Sequence, residues 1–216
     1  MSRQAVIFCA GEMDELTSFY SELPIDKGAL IVCADGGFRH AKALGIRPDI
    51  LIGDFDSIEE KVPEIPRLTY PVRKDATDSF LAADYCLEQG CRELWILGGF
   101  GSRWDHSLSN IALLKYIQNK GGRGFLRDAN NEAFLLESPA TLAKREGWYL
   151  SLLPFGGDAK GVTVTGVSYP VEKETFYLAD SLGISNQIKE EFAEISIEQG
   201  QLLAIFSKDK KRKENL

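Results

Sequence analysis

Up to about residue 127 the chain alternates short apolar runs with segments of helical period, and few folds accommodate that rhythm. Ala5–Ala10, Ala29–Ala34, Ile50–Ile52, Leu68–Pro71, Glu93–Leu97 and Gly124–Arg127 are expected to be strands. Asp14–Leu23, Gly37–Leu44, Asp78–Gln89 and His106–Asn119 are expected to be the intervening helices, with Gly45 and Gly90 placed to end two of them. Strands joined through helices pair in parallel, which predicts an α/β unit with helices on the faces of a mostly parallel sheet. Ligands of such sheets gather beyond the carboxyl ends of the strands, so the loops that follow strands are the ones to read for function.

The rhythm stops near Asp128. Glu132–Leu136, Trp148–Pro154, Val162–Thr165, Phe192–Ile197 and Gln201–Ser207 read as strands, punctuated by Gly156-Gly157-Asp158, Gly161 and Gly200. One short helical piece is expected around Asn186–Glu191. The expected organisation is an α/β domain over residues 1–127 and a small antiparallel β-sandwich domain over 128–216.

The 216 residues carry 25 Lys+Arg against 32 Asp+Glu, a formal charge of −7. That balance argues against a general nucleic-acid binder and against attraction to anionic membranes. An acidic protein that acts on a polyanion needs something other than bulk charge to neutralise it, and a bound metal ion is the obvious agent. The run Ala5–Ala10 is too short for a membrane span or a signal segment. Cys9, Cys33, Cys86 and Cys91 form no CxxC pair, which points to a reduced, cytoplasmic protein. The tail from Lys208 reads as a solvated end.

Four loops after strands are dense in aspartate. In Ala34-Asp35-Gly36-Gly37 the glycines permit close backbone approach, and Asp35 can receive a hydroxyl or a cation, or cap a tight turn. In Gly53-Asp54-Phe55-Asp56-Ser57, continued strand geometry puts Asp54 and Asp56 on one side. Two such carboxylates repel unless a cation lies between them, and a hard ion such as Mg²⁺ takes oxygen ligands of this kind. Lys74-Asp75-Ala76-Thr77-Asp78 precedes a helix; Thr77 or Asp78 suits its N-cap, and the helix start with Lys74 suits a phosphate. In Gly98-Gly99-Phe100-Gly101-Ser102-Arg103-Trp104-Asp105-His106, Trp104 stands where a dinucleotide fingerprint needs its third glycine. Arg103 still offers a planar fork to phosphate, and His106 and Asn110 share a helix face.

In order and spacing these four motifs together resemble those of the thiamine pyrophosphokinase family. The second half agrees, since Gly183-Ile-Ser-Asn186 following Tyr169-Pro170 is similar to that family's thiamine-binding motif. The resemblance implies transfer of diphosphate from ATP to thiamine, giving thiamine diphosphate and AMP. It implies an N-terminal domain that holds Mg²⁺–ATP, a C-terminal β domain that binds thiamine, and a homodimer completing each site. By position, Asp54, Asp56 and Asp78 match the metal carboxylates. Asp35, Gly36 and Gly37 match part of the nucleotide site, Lys74 and Arg103 the phosphate contacts, and Asp105, His106 and Asn110 the rest of the catalytic wall. Ser185 and Asn186 match the thiamine motif, and Tyr169 stands where some members have Trp. Either Asp78 or Asp105 is expected to accept the proton of the attacking hydroxyl.

Two other readings compete. Ile50–Ser57 resembles the strand-DxD motif of haloacid dehalogenase-type phosphatases, with Asp54 as nucleophile, but the motif sits on an internal strand and Ile58 replaces the expected Thr. The other is a nucleotide- or thiamine-sensing module without turnover, which would not need so many uncompensated anions.

Overall fold

The structure is a computed structural model and describes residues 3–53, 64–69, 76–101 and 103–209. It divides into two compact units, Met1–Ala129 and Asn130–Leu216.

In the first unit six strands, β1 (Arg3–Phe8), β2 (Leu30–Ala34), β3 (Ile50–Ile52), β4 (Arg67–Leu68), β5 (Cys91–Leu97) and β6 (Arg123–Arg127), lie in the order β4-β3-β2-β1-β5-β6. Every pairing among them is parallel. Residues 5–8 of β1 and 94–97 of β5 are buried, as central strands of a sheet covered on both faces must be. Helices α1 (Leu16–Ser21), α2 (Phe38–Ala43), α3 (Asp78–Glu88) and α4 (Trp104–Asn119) complete the unit. Gly45 and Gly90 end α2 and α3 with φ of +67° and +82°. At α2 the Gly45 and Ile46 amides donate to the carbonyls of Lys42 and Ala41, the paired bonds that close a helix through left-handed backbone. The chain steps outward from β1 to β4 and then resumes on the other side of β1 with β5. That reversal between β1 and β5 opens a crevice at their carboxyl ends.

The second unit is antiparallel throughout. One set of strands comprises β7 (Asn131–Leu135), β9 (Tyr149–Pro154) and β13 (Leu202–Ser207), with β13 between the other two. A four-stranded sheet has the order β11-β10-β12-β8, from β8 (Ala140–Ala143), β10 (Ala159–Thr165), β11 (Val171–Phe176) and β12 (Phe192–Ser196). In β12 burial alternates along Phe192-Ala-Glu-Ile-Ser196, with Ala193 and Ile195 turned inward. An α/β unit followed by an antiparallel β unit is the fold class the sequence predicts.

The sequence reading needs three corrections of detail. The helical piece expected at Asn186–Glu191 does not form, because Asn186 and Ile188 bridge in antiparallel fashion to Leu150 and Val167. Strands β8 and β11 were not anticipated. β8 follows Pro139 and is only Ala-Thr-Leu-Ala, held by its register on β12, with Leu142 opposite Ala193. β11 is an edge strand whose exposed Glu172-Lys173-Glu174 hides its strand character, as charges on protected edges do.

Candidate functional site

A cavity of about 500 Å³ lies in the first unit and is lined from the loops after β1, β2 and β5 and from the start of α3. These loops meet backbone to backbone. The Cys9 and Gly11 amides donate to the carbonyls of Leu97 and Gly98, at 2.7 and 3.0 Å, so the loop after β1 is stitched to the loop after β5. Gly98 has φ +67°, and a Cβ there would lie 2.6 Å from the Cys9 carbonyl oxygen, which only glycine accommodates.

Asp35 leaves β2 with φ +45°, a left-handed conformation that Asp tolerates better than most residues, and it lines the cavity half-buried. Gly36 and Gly37 are not part of the lining. Gly37 instead packs so tightly on β1 that a Cβ would stand 1.9 Å from the Phe8 carbonyl oxygen.

Asp78 opens α3 and lines the cavity beside Cys9. Burial, followed by the charge of Asp78, pushes the Cys9 thiol up to about 12, so this sulfur is protonated and is no nucleophile at neutral pH. Thr77 occupies the N-cap position of α3, but its hydroxyl bonds Ser79 Oγ at 2.9 Å rather than the helix amides. At the start of α4 the N-cap is Arg103, also without a side-chain cap. Two helix N-termini therefore reach the cavity with neither N-cap side chain bonded to the helix amides, an arrangement suited to anions.

Arg103 and His106 line the cavity, whereas Asp105 does not. Asp105 holds Arg103 in a two-point pair, with Nε to Oδ1 at 3.2 Å and Nη2 to Oδ2 at 2.5 Å, both side chains largely exposed. The hydrogen bond within the pair raises the Arg103 pKa and lowers that of Asp105, which keeps Asp105 ionised and weakly basic. Asn110 is buried on the cavity wall and braces it. Its Oδ1 accepts from Ser79 Oγ at 2.7 Å and its Nδ2 donates to the Gly99 carbonyl at 2.8 Å, tying α4 to α3 and to the loop after β5. Ser79→Ala removes the donor to a buried carbonyl and is expected to cost about 1–3 kcal/mol, read from urea unfolding midpoints.

Asp54, Asp56 and Lys74 lie outside the described residues. Among the described residues no three of His, Cys, Asp and Glu converge as a metal cage. Asp35 and Asp78 do supply hard oxygen donors to one cavity, which is the donor chemistry a Mg²⁺–phosphate ligand requires.

In the second unit Tyr169, Ser185 and Asn186 come together. Asn186 Oδ1 accepts from the Tyr169 and Gln187 amides at 3.1 and 2.9 Å, and its Nδ2 donates to the Tyr169 carbonyl at 2.9 Å. The Asn186 carboxamide thus pins the Tyr169 backbone, while the Tyr169 side chain is exposed. Ser185 adopts φ +57°, and its amide donates to Ser151 Oγ at 3.0 Å. A Cβ on Gly183 would lie 2.0 Å from the Leu152 carbonyl oxygen, so Gly183 lets the turn lie directly on β9. The Gly-Ile-Ser-Asn signature accordingly builds this turn as well as presenting it.

The sequence reading missed Cys9–Glu12, Arg39 and Ser79, all of which line the cavity. The loop after β1 carries a single aspartate, Asp14, and none of the paired or glycine-flanked aspartates that mark the other loops. Its place next to the strand-order reversal was the available signal.

Six parallel strands with a polar cavity at their strand-order reversal, followed along the chain by an antiparallel unit, define a two-unit α/β-plus-β protein. The family model described as thiamin pyrophosphokinase, catalytic domain, matches residues 22–125, and that described as thiamin pyrophosphokinase, vitamin B1 binding domain, matches residues 140–202. The chain is 32% identical over 192 residues to the thiamine pyrophosphokinase of Bacillus subtilis strain 168, covering 85% of this chain and 90% of the relative. The crystal structure of a thiamine pyrophosphokinase from Bacillus subtilis superposes with a TM-score of 0.88 at 29% identity, covering 96% of this chain and 100% of that one. The corresponding structure from Geobacillus thermodenitrificans gives 0.83 at 25% identity, covering 96% and 99%. The chain belongs to the thiamin pyrophosphokinase family. Among the described residues no helix is long and apolar enough to cross a membrane.

Proposed function

We propose that the cavity of the first unit holds the triphosphate of ATP and that the second unit binds thiamine. The chain is a thiamine diphosphokinase: the hydroxyl oxygen of thiamine attacks the β-phosphorus of ATP. The bond from that phosphorus to the α,β-bridging oxygen breaks, and AMP leaves with the bridging oxygen. The observation that carries the site assignment is the convergence of two helix N-termini, Arg103 and the carboxylates Glu12, Asp35 and Asp78 on one cavity.

The first-turn amides of α3 and α4 bind and orient the phosphates without any reorganisation at the moment of reaction. Arg103, kept in place by Asp105, meets charge that develops on the transferred group, with Lys74 a second phosphate contact and His106 beside it on the wall. Asp54, Asp56 and Asp78 are the carboxylates that would hold Mg²⁺, with Asp35-Gly36-Gly37 shaping the nucleotide side. When bound, the ion supplies charge neutralisation of the phosphate oxygens. Of the two carboxylates proposed as proton acceptor, Asp78 lines the cavity and Asp105 does not. The hydroxyl proton is therefore assigned to Asp78. Asn110 acts by holding α3, α4 and the loop after β5 at fixed spacing.

On the second unit the Tyr169 ring faces an aromatic or cationic ring of thiamine and is held in register by Asn186, while Ser185, held by Ser151, offers its hydroxyl. Ser185→Ala is expected to raise the thiamine KM about five- to tenfold, the scale of one hydrogen bond, with little change in the ATP KM. Steady-state kinetics with each substrate varied in turn check this. A cytoplasmic homodimer, in which a second copy completes each site, belongs to the same proposal.

Incubation with thiamine, ATP and Mg²⁺, followed by chromatography, tests the reaction. Thiamine diphosphate and AMP are expected in equal amounts. Inorganic phosphate with thiamine unconsumed would favour the phosphatase, and bound ligand without product would favour the sensor.

A further inference from the structure

The cavity wall carries a cation to which neither the motifs nor the proposed mechanism gives a part. Arg39, in the first turn of α2, is exposed, and its side chain lines the cavity. Its guanidinium donates to the Ala10 carbonyl in the loop after β1. The next residue, His40, is buried and places Nε2 2.8 Å from the Gly11 carbonyl oxygen. Burial lowers the His40 pKa, so the ring is neutral at pH 7, and the tautomer protonated at Nε2 is the one that donates to Gly11. The start of α2 thus ties down two successive carbonyls of the loop after β1 and fixes the direction of the Arg39 side chain. A guanidinium has five N–H donors in one plane; Nη2 is used by Ala10 and Nε lies 3.4 Å from His40 Nε2, so both contacts fall on one edge of it.

The charges around Arg39 are arranged unlike those around Arg103. Arg103 is closed on Asp105, whereas among the described residues Arg39 makes no ion pair, although Glu12, Asp35 and Asp78 line the same cavity. A cation oriented before its ligand arrives, and with no carboxylate paired to it among the described residues, is preorganised for an anion. The strand order β2-β1-β5 sets α2 and α4 on the two sides of β1.

We propose that Arg39 is a second phosphate-binding arginine of the nucleotide site, gripping the triphosphate of ATP from the β2 side of β1 while Arg103 approaches from the β5 side. This rests on the proposed function and deepens it. Arg39→Gln retains a donor for the Ala10 carbonyl but removes the charge, and Arg39→Lys restores the charge without the fork. Calorimetric titration of each full-length chain with Mg²⁺–ATP is expected to show about tenfold weaker binding for the Gln variant and partial recovery for the Lys variant. The ATP KM should rise in parallel while the thiamine KM stays at the wild-type value. Wild-type ATP affinity in the Gln variant overturns the proposal. So does a loss that raises both KM values equally and is not recovered by Lys, because that marks mere support of the loop after β1. A wild-type chain that fails to bind Mg²⁺–ATP defeats the proposed function itself, a result the titration separates from the others.

Discussion

Asp78→Asn is expected to lower kcat by about 10²- to 10³-fold, the scale on which loss of one charge-placing group in a preorganised site is felt. The substitution is isosteric, so the change is one of charge and basicity. Asp78 stands at the first position of α3, on the cavity wall, and close enough to Cys9 that its charge helps push that thiol up. The variant loses both a carboxylate for Mg²⁺ and the proposed acceptor of the hydroxyl proton. It also loses an anion at a helix N-terminus, worth about 0.3–1 kcal/mol, so the urea midpoint should move only slightly. Steady-state turnover at saturating ATP, thiamine and Mg²⁺ is the measurement. Turnover within threefold of wild type would remove Asp78 from the chemistry.

Gly37→Ala is expected to act on the fold with comparable force. Its φ is ordinary, so the difficulty is one of space: the new Cβ would meet the Phe8 carbonyl oxygen at 1.9 Å and the Cys9 amide nitrogen at 3.0 Å. Both are main-chain atoms of the central strand and its loop, and neither can rotate away. Forced apart, β1 and the turn after β2 should lose about 3 kcal/mol or more, read as a large fall in the urea midpoint. Gly45→Ala is the contrast. Gly45 has φ +67° with nothing within 4 Å of an added Cβ, so only the backbone penalty of about 1 kcal/mol is expected. Equal stabilities for the two variants would contradict the close packing of β1 against the turn at Asp35–Gly37.

What the sequence made legible follows from where the physics is local. Continuous apolar runs such as Val6-Ile-Phe8 and Leu94-Trp-Ile-Leu97 announce strands buried on both faces, and Gly45 and Gly90 announce helix ends. Asp35, Asp78, Arg103 and Asn110 were legible because each stands at or just after the loop that leaves a strand, and the structure brings all four onto one cavity. Other features depend on contacts distant in sequence. Gly37 reads as a glycine for ligand approach, yet it serves contact with Phe8, twenty-nine residues earlier. Asn110 reads as a ligand contact, yet its amide is engaged by Ser79 and Gly99. Arg39 carries no motif and becomes visible only once α2 lies beside the loop after β1. The charges of β11 conceal an edge strand whose partner, β10, alone defines it.

The central claim is displacement at the β-phosphorus of ATP, and positional labelling tests it most directly. With [α-³²P]ATP and [β-³²P]ATP in parallel reactions containing thiamine and Mg²⁺, the β label is predicted to appear in thiamine diphosphate and the α label to remain in AMP. A β label retained in ADP, with thiamine carrying a single phosphate, would contradict the account.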